Sequence, residues 1–276
     1  MPMISTRDDV KLFVKSWGSG KPVVLLHGWP LSSDSWDPQA HALADAGYKV
    51  IAYDRRGFGR SEQPWDGYDY GSLTDDLADV MQACGATDDV TLVGFSMGGG
   101  EVARYMSRHG GKGVTKAALI SSVVPRMLKS EANLEGVDAS TFDEMTKGML
   151  KDRPAFMRTF LDDFFGQGVL MSNVSAETLD WAWHMTMQAG LKSTLACAKA
   201  FATTDFTADL AHFKVPTLVV HGTADKTVPI DATGRKAAKA IPQAHLREYD
   251  EAPHGLFATH GNELTAHLLR FIAGRT

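Results

Sequence analysis

The sequence predicts an α/β protein with a mostly parallel, eight-stranded sheet and helices on both of its faces. Short apolar runs that end in Gly or Asp alternate with segments of helical periodicity, as in sheets whose strands are buried on both sides. A single α/β sheet can also use all 276 residues as one unit. We therefore expect one sheet core rather than a string of small domains.

The predicted elements follow from apolar run length and periodicity. Seven of the eight expected strands can be located, at Val10–Trp17, Pro22–Leu26, Lys49–Tyr53, Val90–Val93, Lys116–Ser121, Thr217–Val220 and Leu246–Tyr249. The predicted helices are Asp37–Ala46, Ser72–Cys84, Met97–Arg108, Asp231–Ala240 and Asn262–Ala273. The alternation breaks where strand patterns disappear and helix-forming residues dominate. We interpret residues 124–212 as a helical cap inserted into a core made of residues 1–123 and 213–276.

Composition excludes several classes of function. Hydrophobic residues make up 44% of the chain and charged residues 22%, which is typical of a globular protein. The net charge of −5 argues against nucleic-acid binding. No apolar run is long enough for a membrane span or a signal peptide, so we expect a cytoplasmic protein. Cys84 and Cys197 lack metal-ligand spacing and are expected to be buried thiols. The sequence leaves open whether the chain forms a homo-oligomer.

The most informative motif is Gly-x-Ser-x-Gly at Gly94–Gly98, which follows one predicted strand and opens one predicted helix. In this setting the serine lies on a sharp strand-to-helix turn with its hydroxyl exposed at the carboxyl edge of the sheet. The bare pattern is weak, and the alternative is a glycine-rich loop without catalytic meaning. The strand before it and the apolar helix face after it favour Ser96 as a nucleophile.

A serine nucleophile needs a base and an acid, which in this arrangement follow it along the chain in the order Ser, acid, His. Ten histidines compete for the role of base, and His254 lies in the loop after the last predicted strand. The first carboxylate after the preceding strand is Asp225, which would orient the imidazole. Asp250 and Glu251 are the alternative acids, and both lie close to the strand end. We predict the triad Ser96, Asp225 and His254.

Two backbone amides are expected to form the oxyanion hole. One belongs to Met97, the residue after the nucleophile. The other belongs to the loop after the strand Pro22–Leu26, where Pro30 lacks an N–H and leaves Trp29 as the donor.

Five segments in combination resemble the bacterial aryl esterases and cofactor-free haloperoxidases (perhydrolases) of the α/β-hydrolase fold. These segments are His27–Pro30, Asp54–Ser61, Gly94–Gly100, Thr203–Phe206 and Ala252–Gly255. The resemblance implies hydrolysis of small carboxylic esters without metal, haem or flavin. It also implies acyl transfer to hydrogen peroxide, giving a peracid that oxidises halide in solution. Water and peroxide are the implied acyl acceptors, and we hypothesise that Pro30 sets the choice by placing the Trp29 carbonyl near peroxide. The alternative is that Pro30 only shapes a turn.

Apolar residues are candidates for the substrate pocket. Phe156, Phe160 and Phe164 recur every four residues after Pro154, so they form one helical stripe. Such a stripe usually packs in a core, but in a cap it can line an acyl pocket, and we predict this for Phe160, Phe164 and Val228. The charged loop after the strand Lys49–Tyr53 is expected to be held by salt bridges rather than to bind phosphate.

Other activities on this scaffold remain alternatives. A dehalogenase or epoxide hydrolase would need aspartate at position 96, so Ser96 argues against both. A lactonase or lactamase uses the same triad. A small-ligand receptor on the same scaffold is a further alternative, because a fold does not determine a function.

Overall fold

A computed structural model describes residues 3–168 and 173–275 of the chain. Within these ranges the strands are β1 (Met3–Ser5), β2 (Lys11–Trp17), β3 (Pro22–Leu26), β4 (Lys49–Tyr53), β5 (Val90–Phe95), β6 (Val114–Ile120), β7 (Thr217–Gly222) and β8 (Ala244–Tyr249). They form one eight-stranded sheet in the order β1-β2-β4-β3-β5-β6-β7-β8. The β1–β2 and β2–β4 pairs are antiparallel, and the strands from β4 to β8 run parallel.

The helices of the described ranges cover both faces of the sheet. They are α1 (Asp37–Asp45), α2 (Tyr70–Ala83), α3 (Met97–Arg108), α4 (Ala139–Phe164), α5 (Ala176–Gln188), α6 (Leu191–Thr203), α7 (Gly234–Ala240), α8 (Leu256–Thr259) and α9 (Gly261–Ile272). Successive side chains of a strand enter opposite layers. In β3, Val23 and Leu25 share a core with α1 and α9, whereas Val24 and Leu26 share one with α2 and α3. This double burial explains the continuous apolar runs of the central strands.

The segment between β6 and β7 is helical. Its described residues contain α4, α5 and α6 and no strand of the sheet, which agrees with the helical character predicted for residues 124–212. Helix α4 is kinked at Asp152, which has φ −158° and ψ 85°, and Pro154 follows the kink. A proline fits there because the first turn of a helix needs no amide donor. The division of the chain into a core and a cap domain stays a prediction.

No helix in the described parts of the chain has both the length and the apolar character needed to cross a lipid bilayer.

Candidate active site

Ser96 lies on the sharp turn between β5 and α3. Its backbone has φ 53° and ψ −117°, a left-handed conformation that is strained for a residue with a side chain. The turn is so tight that a Cβ on Gly94 would lie 2.4 Å from the Gly98 carbonyl oxygen, and one on Gly98 would lie 2.5 Å from that of Leu26. Both glycines of the motif are therefore required sterically, and the strained turn presents the serine hydroxyl at the carboxyl edge of the sheet.

The structure brings the three predicted triad residues together from three separate loops. The Ser96 hydroxyl donates to Nε2 of His254 across 2.9 Å. Nδ1–H of the same imidazole donates to Oδ2 of Asp225 across 2.7 Å. All three residues are buried. The loops follow β5, β7 and β8, whose carboxyl ends meet at one edge of the sheet, and this explains why residues far apart in sequence converge there.

The Asp225 carboxylate is held in its ionised form. Burial alone would raise its pKa, but the attraction of His254 and hydrogen bonds from His221 and His254 outweigh that effect and lower the pKa to about 2. The backbone amides of Thr227 and Val228 also donate to Oδ1, across 3.0 and 2.8 Å. An ionised carboxylate in this position fixes the imidazole tautomer that leaves Nε2 free to accept the serine proton.

The loop from His27 to Pro30 lies directly against the serine. A Cβ on Gly28 would lie 2.6 Å from the Phe95 ring and 3.1 Å from the Ser96 Cβ, so a larger residue would not fit without displacing that ring. Among the described residues, no carbonyl or side chain accepts a hydrogen bond from the amide of Trp29 or of Met97. The two amides predicted for the oxyanion hole are thus available to a ligand. The peptide bond between Trp29 and Pro30 is cis.

A buried ion pair holds the loop of residues 27–30 in place. Arg55, in the segment that follows β4, donates through Nε to Oε1 of Glu101 on α3 across 2.7 Å. Its Nη2 donates to the His27 carbonyl across 2.6 Å, and its amide donates to Nε2 of His27 across 3.0 Å. Arg55 and Glu101 are both fully buried. The pair therefore connects the loop of residues 27–30 to helix α3, which begins directly after Ser96.

The charged segment after β4 is held by salt bridges, as predicted. Asp54 pairs with Arg60 at 2.8 Å, and its other oxygen accepts from the Ser33 amide across 2.9 Å. Arg56 donates to Asp76 across 2.6 Å and to Asp8 across 2.9 Å. Because the cations of this segment are bound to carboxylates, the structure gives it no free cradle for a phosphate group.

An apolar cavity opens onto the serine and the histidine. Its volume is about 320 Å³, and its wall includes Trp29, Phe160 and Val228 beside Ser96 and His254. Phe160 and Val228 thus occupy the places predicted for pocket residues. The Trp29 ring packs edge-on against Phe160, with 5.3 Å between ring centroids. The cavity wall is therefore formed by loops at the edge of the sheet together with helix α4.

The prediction that Phe164 lines this pocket is corrected by the structure. Phe164 is fully buried, and its ring packs edge-on against the His254 imidazole with 4.9 Å between centroids. Its ring also contacts Phe95 at 6.0 Å. Phe164 lies one helical turn after Phe160, beyond the cavity and against Phe95 at the end of β5. It therefore packs behind the imidazole and does not face a substrate.

His221, in β7, is a further histidine at the site that the sequence pattern does not single out. In the structure its Nε2 lies 2.8 Å from the Val228 carbonyl and 3.3 Å from Oδ2 of Asp225. Its Nδ1 is buried and has no hydrogen-bond partner among the described residues. A signal was present in the sequence, because His221 comes four residues before the predicted acid, but spacing alone does not show where the ring points.

Neither cysteine lies at the site. Burial raises the pKa of Cys197 to about 12, so its thiol is protonated and unreactive at neutral pH. Within the part of the chain that the structure describes, no group of three or more His, Cys, Asp or Glu side chains is placed to hold a metal ion.

The fold and the site geometry define a class of hydrolases that use a serine on a strand-to-helix turn. A family model described as alpha/beta hydrolase fold matches residues 21–261, and the chain belongs to this family. The chain is 46% identical over 263 residues to a non-heme chloroperoxidase from Kitasatospora aureofaciens, a match that covers 95% of each chain. It is 40% identical to a bifunctional esterase/perhydrolase from Acinetobacter calcoaceticus, with 99% of each chain covered.

Solved structures agree with these relatives. The chain is similar to a bromoperoxidase from Bacillus anthracis, with a TM-score of 0.94, 43% identity and 98% of each chain covered. It is also similar to an esterase from Exiguobacterium antarcticum, with a TM-score of 0.93, 30% identity and 98% of each chain covered. Enzymes described as haloperoxidases and enzymes described as esterases thus share this fold over nearly the whole chain.

Proposed function

We propose that the protein is a serine esterase of small aryl and short-chain carboxylic esters, and that it also transfers the acyl group to hydrogen peroxide. The observation that carries the proposal is the hydrogen-bonded series from Ser96 through His254 to Asp225, which opens onto an apolar cavity. The esterase, perhydrolase and haloperoxidase descriptions of full-length relatives support both acceptors.

The first half-reaction forms an acyl-enzyme. Ser96 Oγ attacks the ester carbonyl carbon while His254 Nε2 takes the hydroxyl proton. The negative charge that develops on the carbonyl oxygen is received by the amides of Trp29 and Met97, aided by the amino-terminal dipole of α3. As the intermediate collapses, the bond to the leaving alcohol breaks and His254 returns its proton to that oxygen. Asp225 stabilises the imidazolium between these two proton transfers.

The second half-reaction depends on the acceptor. Water gives its proton to His254 and attacks the acyl carbon, which releases the carboxylic acid and restores Ser96. Hydrogen peroxide in the same place releases a peracid by the same steps, with no change of oxidation state in the protein. The peracid then oxidises bromide or chloride in solution and is itself reduced to the acid. This route gives haloperoxidase activity through the triad and the two oxyanion amides.

The cavity argues for small and mostly apolar substrates. Its volume of about 320 Å³ lies at the low end for small-molecule sites, and most of its wall is apolar. Residues of the helical insertion, among them Phe142 and Phe160, close the cavity over the serine. We therefore propose that residues 124–212 act as the cap that sets substrate size.

The test is an ester assay with p-nitrophenyl acetate, run with and without peroxide, in which acetic acid and peracetic acid are measured separately. We expect acid alone without peroxide, and both products with it. Ser96→Ala should lower both rates by at least about a thousandfold, as triad deletions do elsewhere. Tight retention of a small ligand without turnover would contradict the proposal and favour a receptor.

A further inference from the structure

We propose that a groove on the cap is a second substrate subsite, which receives the far end of a linear aliphatic chain whose ester group lies at Ser96. This inference rests on the esterase function proposed above. It extends the substrate class from short-chain esters to medium-chain aliphatic esters.

The groove runs between the first half of α4 and α6. Its volume is about 570 Å³, and its wall includes Leu195, Ala198 and Ala202 of α6. The alanines at positions 198 and 202 leave space that longer side chains would fill. Lys192 and Lys199 also border the groove, and the ammonium group of Lys192 lies over the Trp65 ring at 4.5 Å from its centroid. The result is an apolar channel with charges at its edge, which suits an uncharged alkyl chain.

Continuity with the catalytic cavity identifies the occupant. Phe142 and Met145 line both the groove and the cavity that contains Ser96. They are three residues apart on α4 and so share one helix face. Phe142 packs against Phe201, with 6.3 Å between ring centroids. Phe142 and Met145 therefore separate the groove from the catalytic cavity.

Met145 is the movable one of these two residues. A methionine side chain is unbranched and has three rotatable bonds, so it adapts its shape to a neighbour at low cost. Phe142 is larger and is held by an aromatic contact. A chain too long for the catalytic cavity thus reaches the groove by displacing Met145.

The experiment compares kcat/KM for p-nitrophenyl octanoate and p-nitrophenyl acetate in three variants. Met145→Ala opens the passage between the cavity and the groove and should raise the octanoate-to-acetate ratio about tenfold, because several additional methylenes become buried. Thr146→Trp fills the groove from an exposed position that does not line the catalytic cavity, and it should lower the ratio several-fold. Leu150→Ala is the control, since this exposed residue of the same helix lines neither space.

Activity on p-nitrophenyl acetate tests the proposed function, whereas the octanoate-to-acetate ratio of kcat/KM tests the groove. Loss of acetate hydrolysis in the unaltered protein would remove the proposed function itself. With acetate activity intact, a ratio that stays at the unaltered value in both Met145→Ala and Thr146→Trp would overturn the groove as a subsite. A change of the same sign in both variants would also overturn it, because one opens the path and the other blocks it.

A second, independent observation concerns His221. We infer that His221 is a positioning residue for Asp225. Its Nε2 faces a carbonyl oxygen, which can only accept, so Nε2 carries the hydrogen and shares it between Val228 and Oδ2 of Asp225. The same Oδ2 accepts from His254. His221 thus holds the carboxylate oxygen that orients the catalytic imidazole, together with the loop that carries it.

Three substitutions separate positioning from packing. His221→Gln keeps an N–H donor near the position of Nε2. His221→Asn has a side chain one methylene shorter, so its amide does not reach that position. His221→Leu removes the donor. We expect kcat on p-nitrophenyl acetate to fall at least tenfold in the Leu and Asn variants, with KM nearly unchanged, and to recover largely in the Gln variant. Equal kcat values in folded Gln and Asn variants would overturn the role, and this comparison stands even if the Leu variant does not fold.

Discussion

At the scale of single residues, the chemistry depends on one carboxylate whose charge is fixed by its surroundings. Asp225 is buried, yet two backbone amides and two imidazoles stabilise its ionised form. Its pKa of about 2 means that Asp225 does not titrate in the range where the enzyme is expected to work. Loss of activity in mild acid would therefore not come from protonation of Asp225.

The lowered pKa of Asp225 predicts a pH dependence of stability. A carboxyl whose pKa is lower in the folded state stabilises the fold above its unfolded pKa, and the contribution is lost as pH falls towards the folded value. The difference in unfolding free energy between the unaltered protein and Asp225→Asn should thus shrink as pH falls from about 4 to about 2. Urea denaturation at several pH values measures it. A difference that is constant over this range would contradict an ionised Asp225.

Pro30 gives a second prediction at this scale. It lies in the loop that approaches Ser96, next to the Trp29 amide proposed for the oxyanion hole. We expect Pro30→Leu to lower the ratio of peracetic to acetic acid formed from the acyl-enzyme, because the Trp29 carbonyl would no longer be placed to accept from peroxide. The total rate of ester cleavage serves as the control. An unchanged product ratio would reduce Pro30 to a residue that shapes the turn.

At the scale of elements, the site depends on how one helix and two loops are locked together. Helix α3 begins directly after Ser96. Its Glu101 holds Arg55, which in turn holds the His27 carbonyl in the loop proposed for the oxyanion hole. A buried ion pair is costly to break from one side, because the remaining charge stays buried without a partner. The stability of the fold and the geometry of the oxyanion loop are therefore coupled through Arg55.

Removal of the Glu101 charge tests this coupling. Glu101→Gln should lower the free energy of unfolding by about 3–5 kcal/mol, because Arg55 is left buried and unpaired. Glu248→Gln breaks the partly exposed pair with Arg235 and should cost less than about 1 kcal/mol. Urea denaturation of both variants provides the comparison. Equal losses in the two variants would show that the buried pair stabilises the fold no more than the partly exposed one.

At the scale of the whole molecule, the sequence was most informative where burial is continuous. The bounds of β3, β4 and α3 match their predictions because a strand buried on both faces, or a helix that follows a glycine turn, leaves an unambiguous pattern. The short edge strand β1 was missed, since three residues carry no usable periodicity. Phe164 and His221 could not be placed from sequence, because their neighbours come from distant segments that only tertiary packing brings together.

The same contrast applies to the site. Each triad residue could be assigned because its loop follows an identifiable strand, and chain order fixes the sequence of roles. The cavity wall depends on how α4 crosses the sheet edge, and no local pattern records that crossing. Local signals therefore predict the reacting groups, whereas the residues that shape the substrate space emerge only from the folded chain.

In the proposed mechanism, Ser96 carries the acyl group between the two half-reactions. Intact-protein mass spectrometry after rapid acid quenching of a reaction with p-nitrophenyl acetate tests it most directly, with peptide mapping to locate the modification. We predict a mass increase of one acetyl group, located on Ser96, which disappears in Ser96→Ala and decays faster when peroxide is added. Turnover with no acetylated species in the unaltered protein, or acetylation that persists in Ser96→Ala, would contradict the account.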